Sequence, residues 1–334
     1  MTRTPTVRSA VVLLLLLLAA CGGGAAGSST GEATAAASPS VSTEPTTAAS
    51  AGGSEAAAFP VTISTDAGEV TLDEQPTSIV SLSPTATEML FAIDAGDQVV
   101  AVDSLSNFPR DAPTTDLSAF EPNVEAIAGY DPDLVVISDD GTDLASALGE
   151  LDIPVLVQPT ATTLDDTYAQ IENLGTATGH PAEADAVVER MRSDIDKIAA
   201  DAPETDEPLT YYHELDDTYY SVTSDTFIGQ IYELAGLRSI ADEAGGDAGG
   251  YPQLSEEFIL DADPDLIFLA DTRCCGQSAE TVAERPGWDQ LSAVRNDAVV
   301  ELDDDVASRW GPRVVDLLRT VVDAVEQHAG ADGS

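Results

Sequence analysis

The chain has 334 residues and carries 60 acidic side chains against 13 lysines and arginines, so its formal net charge is −47 at pH 7. Such a field disfavours nucleic acid and anionic membrane surfaces as partners. A free anionic ligand would need a local pocket of basic residues.

The N-terminus indicates the compartment. Two arginines precede an apolar run at residues 11–18, which is too short to span a bilayer as a stable helix, and the tetrapeptide Leu-Ala-Ala-Cys follows at 18–21. This pattern resembles the lipobox of a bacterial lipoprotein signal peptide, formed here by residues 1–20. The resemblance implies a lipid on Cys21, which would hold the protein on the extracytoplasmic face of the cell membrane. An ordinary signal peptide that contains a cysteine is the alternative.

Residues 21–58 form a low-complexity segment. They are mostly Gly, Ala, Ser, Thr and Pro, with almost no large apolar side chain to bury in a core. We expect a disordered tether that holds a folded domain away from the membrane, with the folded part starting at Phe59.

The first predicted strand and helix meet at a corner. A short apolar run at 79–80 leads into Ser-Leu-Ser-Pro at 81–84, and an amphipathic helical pattern then ends at Gly96. In open α/β sheets, ligands bind beyond the carboxyl ends of the strands. This corner is therefore a candidate wall of a ligand cleft, although Ser83 or Thr85 could equally be a helix N-cap. The candidate ligand-binding residues of the corner are Ser83, Pro84 and Thr85.

The chain contains a long internal repeat. The sequence NVEAIAGYDPDLVVISDD at 123–140 returns as SEEFILDADPDLIFLADT at 255–272. Each copy predicts a short helix, an Asp-Pro turn and a buried strand. Two copies indicate an α/β protein with two similar Rossmann-like lobes and mainly parallel sheets. One continuous doubly wound sheet is the alternative.

A helical segment separates the two copies. Pro181 is suited to a helix start, apolar residues then recur at helical spacing, and Pro203 ends the pattern. We predict an N-terminal lobe at 59–178, an inter-lobe helix at 179–203 and a C-terminal lobe at 204–328, with the ligand cleft between the lobes.

Loops that follow predicted strands supply further candidates for the cleft. They carry aromatic, apolar and charged side chains on segments that also contain Gly or Pro, as small-molecule sites often do. The candidates are Leu105, Phe108, Phe120, Tyr251, Arg273, Asp305, Arg309 and Trp310.

Three other residues leave their roles open. Cys274 and Cys275 are adjacent and could form a vicinal disulfide or remain two thiols. His213 could be an axial ligand to cobalt or haem iron, or could make a structural hydrogen bond. No residue cluster has the spacing of a protein metal site, and Ser83 has no evident base, so we expect neither a resident cofactor nor catalysis.

Taken together, the motifs resemble one family. They are the lipobox, Ser-x-Ser-Pro-x-x-Thr-Glu at 81–88, Pro-Asn-x-Glu at 122–125 with Pro-Asp-Leu-Val after it, and the long central helix. They resemble the helical-backbone class of ABC-transporter substrate-binding proteins, which carry cobalamin, haem or ferric siderophores. The segments YPQLSEEFIL and DDDVASRWGPR look most like cobalamin-binding members. That likeness implies that Tyr251 stacks on the corrin, whereas Leu105 departs from the aromatic residue that such members place there.

The resemblance also implies a partner. In this class an acidic residue on each lobe docks on arginines of a dimeric ABC permease, and the matching positions are Glu125 and Glu257, which the repeat places in register. Either residue alone could be a solvated helix residue. We therefore expect a monomeric, lipid-anchored importer component that carries cobalamin, with haem and then a ferric siderophore as alternatives and an exported hydrolase as a remote one.

Overall fold

The computed structural model describes residues 58–203, 205, 207–245 and 249–332. The predicted signal peptide, Cys21 and nearly all of the predicted tether lie outside these residues. Within the described ranges, none of the helices combines the length and apolar character needed to cross a bilayer.

The described chain begins with an antiparallel hairpin that the sequence patterns did not predict. Its strands are β1 (Val61–Thr65) and β2 (Gly68–Leu72). Only Ile63 and Leu72 of the hairpin are buried, and its other side chains are partly or fully exposed.

The N-terminal lobe is built on a four-stranded parallel sheet. Every residue of its two central strands is buried, because helices cover the sheet. Its strands are β3 (Ile79–Leu82), β4 (Val99–Val102), β5 (Leu134–Ile137) and β6 (Val155–Val157), in the order β4-β3-β5-β6. Its helices are α1 (Pro84–Ala92), α2 (Val124–Ala128), α3 (Leu144–Gly149) and α4 (Leu164–Thr178).

One long helix, α5 (Pro181–Asp201), connects the lobes where the sequence predicted it. Pro181 occupies its first turn, where the missing N–H costs no hydrogen bond. One stripe of the helix is buried, and the helix packs against α4 on one side and the C-terminal helix on the other. The residues of that stripe are Ala184, Val187, Val188, Met191 and Ile195.

The C-terminal lobe is built on a second four-stranded parallel sheet. Its strands are β7 (Thr210–Glu214), β8 (Arg238–Ser239), β9 (Leu266–Leu269) and β10 (Val299–Glu301), in the order β10-β9-β7-β8. Its helices are α6 (Phe227–Leu234), α7 (Glu256–Ala262), α8 (Ala279–Ala283), α9 (Ser292–Arg295), α10 (Asp304–Ser308) and α11 (Val314–Asp332).

The two sheets share one topology. In each, the second strand in chain order flanks the first on one side, and the third and fourth follow on the other. The anchoring side chains repeat as well: the Asp133 carboxylate accepts the backbone N–H of Thr77 at 2.8 Å, and Asp265 accepts that of Thr210 at 2.8 Å. The prediction of two similar α/β lobes is confirmed, and the alternative of one continuous sheet is wrong.

Candidate functional site

The strand order places a crevice at the same position in each lobe. The chain leaves β3 toward β4 on one side and returns to β5 on the other, and β7, β8 and β9 repeat this arrangement. Ligands of open α/β sheets bind at this switch point, beyond the carboxyl ends of the strands. The loops that follow these strands are therefore the candidate site.

The corner after β3 is a helix cap. The Ser83 hydroxyl accepts the backbone N–H of Ala86 at 3.3 Å, and Pro84 begins α1. Ser83 and Thr85 are each 3% exposed, whereas Pro84 is partly exposed. The capping interpretation of Ser83 is confirmed, and the corner offers little hydroxyl surface to a ligand.

A buried hydrogen-bond network positions the loop after β4. Thr87 donates to the Ser81 hydroxyl at 2.9 Å and its hydroxyl lies 2.9 Å from that of Ser106, which donates to Asp103 at 2.5 Å. Burial raises the pKa of the Asp103 carboxyl. The network fixes the base of a loop at 103–112 that presents two exposed apolar side chains. These side chains are Leu105 and Phe108, which are 50% and 42% exposed.

Two further predicted aromatic residues are exposed on other loops. Phe120 is 79% exposed, in the segment that leads to α2. Tyr251 is 38% exposed, on a loop held to the corner of the second lobe by the hydrogen bond from Thr223 N–H to the Gly250 carbonyl, at 2.9 Å. Gly250 has a φ of 88°, and a Cβ there would lie 2.5 Å from the Thr226 side chain, so this position requires glycine.

A buried ion cluster joins the two lobes, and we call Glu88, Arg309 and Arg313 the inter-lobe clamp. Glu88 Oε1 lies 2.7 Å from Arg309 Nη1 and 2.5 Å from Arg313 Nη2, while its Oε2 accepts Arg313 Nε at 2.8 Å. The side chains are 1%, 9% and 17% exposed. The pKa of the Arg313 guanidinium is raised by its hydrogen bonds to Glu88. Sequence reasoning missed the role of Glu88, although an acidic residue beside the apolar Met89-Leu90 of α1 is a signal that a partner exists.

The predicted residues of the segment at 303–313, which includes α10, contact the N-terminal lobe. Arg309 also donates to the Leu105 carbonyl at 3.0 Å and pairs with Asp305 at 2.5 Å. Trp310 Nε1 donates to Gln170 Oε1 at 2.9 Å. The Arg313 guanidinium lies 4.4 Å from the centre of the Phe108 ring.

The remaining predicted arginine is also paired. Arg273 Nη2 lies 2.6 Å from Asp303 and Nη1 lies 3.5 Å from Asp305, although the Arg273 side chain is 63% exposed. Three guanidinium groups, on Arg273, Arg309 and Arg313, therefore face three carboxylates, on Glu88, Asp303 and Asp305. Their formal charges cancel.

His213 does not lie at the cleft. It is on β7 with no exposed surface, and its Nδ1 is 2.8 Å from the Tyr232 hydroxyl. Burial lowers the pKa of its imidazole from 6.5 to about 3, which keeps the ring neutral. This position does not present His213 to a ligand between the lobes, so the axial-ligand interpretation is corrected to a structural hydrogen bond.

The cysteine pair lies on the loop after β9. Cys274 and Cys275 are exposed and are free thiols, not a vicinal disulfide. The Asp304 carboxylate holds this loop by accepting the backbone N–H groups of Arg273 at 3.0 Å and Cys274 at 2.8 Å.

Glu125 and Glu257 occupy equivalent places on the two lobes. Each is exposed and is the second residue of a short helix, α2 or α7. Both helices are capped in the same way, because Asn123 accepts the N–H of Ala126 at 2.9 Å and Ser255 accepts that of Phe258 at 3.2 Å. The two carboxylates are therefore free surface groups presented by matching elements.

Three comparisons place the chain among known proteins. The periplasmic binding protein family model matches residues 79–306. An uncharacterized ABC transporter substrate-binding lipoprotein of Bacillus subtilis (strain 168), YvrC, is 30% identical over 277 residues, which cover 80% of this chain and 86% of the relative. A cobalamin-binding protein of Halobacterium salinarum (strain ATCC 29341 / DSM 671 / R1) is 31% identical over 280 residues, which cover 80% and 75%.

A solved structure has the same fold. It is the periplasmic heme-binding protein RhuT from Roseiflexus sp. RS-1 in apo form, which superposes with a TM-score of 0.66 at 22% identity and covers 75% of this chain and 98% of that one. The similarity extends over both lobes, because the aligned part is most of the described chain.

Proposed function

Since the chain belongs to the periplasmic binding protein family, whose members bind solutes and are not enzymes, we propose that it captures a corrinoid for an ABC importer. The cargo is cobalamin or a close relative of it. The relative from Halobacterium salinarum, which is named for cobalamin binding, supports this choice.

The charge balance of the candidate site is the observation that carries the proposal. Arg273, Arg309 and Arg313 are each paired with a carboxylate. Among the described residues of the cleft loops, this leaves the exposed Arg110 as a single unpaired guanidinium, which is not an excess of positive charge. Haem carries two propionates and ferric siderophores are commonly anionic, so both favour clustered basic residues that can make charge-assisted hydrogen bonds to them. Cobalamin instead exposes neutral amide arms around a large apolar ring.

The exposed side chains of the loops fit the same cargo. Leu105, Phe108 and Tyr251 offer apolar surface at the carboxyl ends of the sheets, where a flat macrocycle can pack against them. Tyr251 has the aromatic ring for stacking on a corrin.

Calorimetric titration of the full-length protein in detergent tests the cargo, with cyanocobalamin and haemin in separate experiments. One-to-one saturable binding of cyanocobalamin, with haemin weaker or silent, is expected. Binding of haemin alone would refute the corrinoid assignment and leave a haem carrier of the same class. Silence with both would refute it too, and ferric siderophores would be titrated next.

Delivery is proposed to use the exposed Glu125 and Glu257. Two carboxylates on equivalent helices can each accept an arginine from one half of a two-fold symmetric permease. Lipid on Cys21 would keep the loaded protein near that permease. We expect the double variant Glu125→Ala/Glu257→Ala to abolish cellular uptake with cargo affinity unchanged. A matching loss of affinity would place these residues in the fold or the cleft instead.

A further inference from the structure

The inter-lobe clamp differs from other buried ion pairs because its partners belong to different lobes. Glu88 is on α1 of the N-terminal lobe, and the two arginines lie between α10 and α11 of the C-terminal lobe, 221 and 225 residues further along the chain. A movement that separates the lobes on this side must break every one of these contacts.

The same arginines hold the predicted ligand wall. Arg309 donates to the Leu105 carbonyl at 3.0 Å and to Asn107 Oδ1 at 3.1 Å, and Arg313 lies over the Phe108 ring. Asn107 in turn donates to Asp305 at 2.8 Å. The clamp thus fixes the loop at 103–112 against the segment at 303–313.

From this geometry we propose that Glu88 is a positioning residue for the cargo, and this role rests on the proposed corrinoid function. Through Arg309 and Arg313, it sets the separation and orientation of the two cleft walls before the ligand arrives. Glu88 itself does not touch the ligand. Its contribution is preorganisation, because a wall that is already in place does not have to be ordered when the ligand binds.

Removing the shared carboxylate has a specific physical consequence. Arg313 would remain at a largely buried position without its counter-charge, and Arg309 would keep only Asp305, so both guanidinium groups would favour hydration more strongly. Water can reach them when the lobes separate, without unfolding of either lobe. The loss of Glu88 should therefore shift the population toward an open arrangement.

The chain offers a matched control within one lobe. Glu214 on β7 is fully buried and is paired with Arg285, with both Nη–Oε distances at 2.6 Å. Both residues belong to the C-terminal lobe, so hydrating this pair requires local unfolding instead of lobe separation. Glu214→Gln should destabilise the fold without changing the arrangement of the lobes.

The experiment compares Glu88→Gln with Glu214→Gln in the full-length protein in detergent. Spin-labelled unnatural amino acids at the exposed positions Glu150 and Glu284 report the inter-lobe distance without using the native cysteines. Both variants are expected to melt at lower temperature. Only Glu88→Gln should broaden the distance distribution of the ligand-free protein. If its closed arrangement falls to about a tenth of the population, the dissociation constant for cyanocobalamin should rise about tenfold.

Two results would overturn the proposal. One is a Glu88→Gln variant whose distance distribution equals that of the wild type; the other is an equal loss of affinity in Glu214→Gln. If Glu88→Gln does not fold, Arg313→Gln removes one arm of the clamp and tests the same expectation. If the wild type does not bind cyanocobalamin, the cargo proposal fails, while the distance measurement still decides whether Glu88 sets the lobe arrangement.

Discussion

Asp271 is predicted to lower the stability of the C-terminal lobe as the pH rises toward neutrality. It follows β9, has no exposed surface, and neither carboxyl oxygen has a hydrogen-bond partner among the described residues. Burial, together with the neighbouring Glu214 carboxylate, raises the pKa of Asp271 from 3.8 to about 7.

The shift sets both the sign and the size of the effect. The unfolded chain releases this proton near pH 3.8 and the folded chain near pH 7, so the folded state binds more protons between these values. The contribution of Asp271 to the free energy of unfolding is therefore greatest below the lower value, falls across this window and stays low above it. About three pKa units at about 1.4 kcal/mol each correspond to at most ~4 kcal/mol.

The test is Asp271→Asn, which keeps the size of the side chain but cannot ionise. Denaturant unfolding of the full-length protein is followed by tryptophan fluorescence, to which the fully buried Trp288 of the same lobe contributes. We expect the unfolding free energy of the variant, relative to the wild type, to rise by up to ~4 kcal/mol between about pH 4 and pH 7 and to stay level above.

Asp304→Asn is a control of opposite sign. Burial alone would raise the pKa of Asp304, but hydrogen bonds from the backbone N–H groups of Cys274 and Arg273 lower it below 3.8. Its carboxylate thus stabilises the fold above that pH and loses this effect in acid, so the variant should be destabilised at neutral pH only. A stability difference for Asp271→Asn that does not change with pH would refute the reasoning.

Two further predictions concern Tyr251 at the cleft and Gly229 in α6. Tyr251→Ala should weaken cyanocobalamin binding about tenfold or more in calorimetric titration, whereas Tyr251→Phe, which keeps the ring, should bind nearly as the wild type does; equal losses would show that stacking is not its role. Gly229→Ala should lower the free energy of unfolding by about 1–3 kcal/mol, because the added Cβ would lie 2.1 Å from the Thr223 carbonyl oxygen. Gly149→Ala, which meets open space at the end of α3, should not lower it; a comparable loss there would contradict the steric argument.

The local patterns predicted most of the fold because its elements are short and strongly patterned. The apolar run at 134–137 and its repeat at 266–269 predicted two buried strands, and Pro181 marked the start of α5. The hairpin of β1 and β2 was missed although Val61, Ile63, Val70 and Leu72 alternate with polar residues, because each strand is only five residues long and repeats this alternation for barely two periods.

The candidate site was predicted only in part, for a different reason. Side chains on loops after strands could be named from local sequence, but the clamp joins residues more than 200 positions apart. Pairing over such a distance leaves no local pattern. The sequence left the role of His213 open because it does not say which face of β7 is covered, and in the structure the imidazole lies against Tyr232.

The shared strand order of the two sheets has a consequence for assembly. The proposed docking helices α2 and α7 hold matching positions in the internal repeat, so each would offer a partner the same kind of carboxylate. On a partner made of two identical subunits, two seatings that exchange α2 for α7 would offer the same pair of contacts. Any preference between them has to come from side chains that the lobes do not share, such as the exposed ring of Phe120 beside α2.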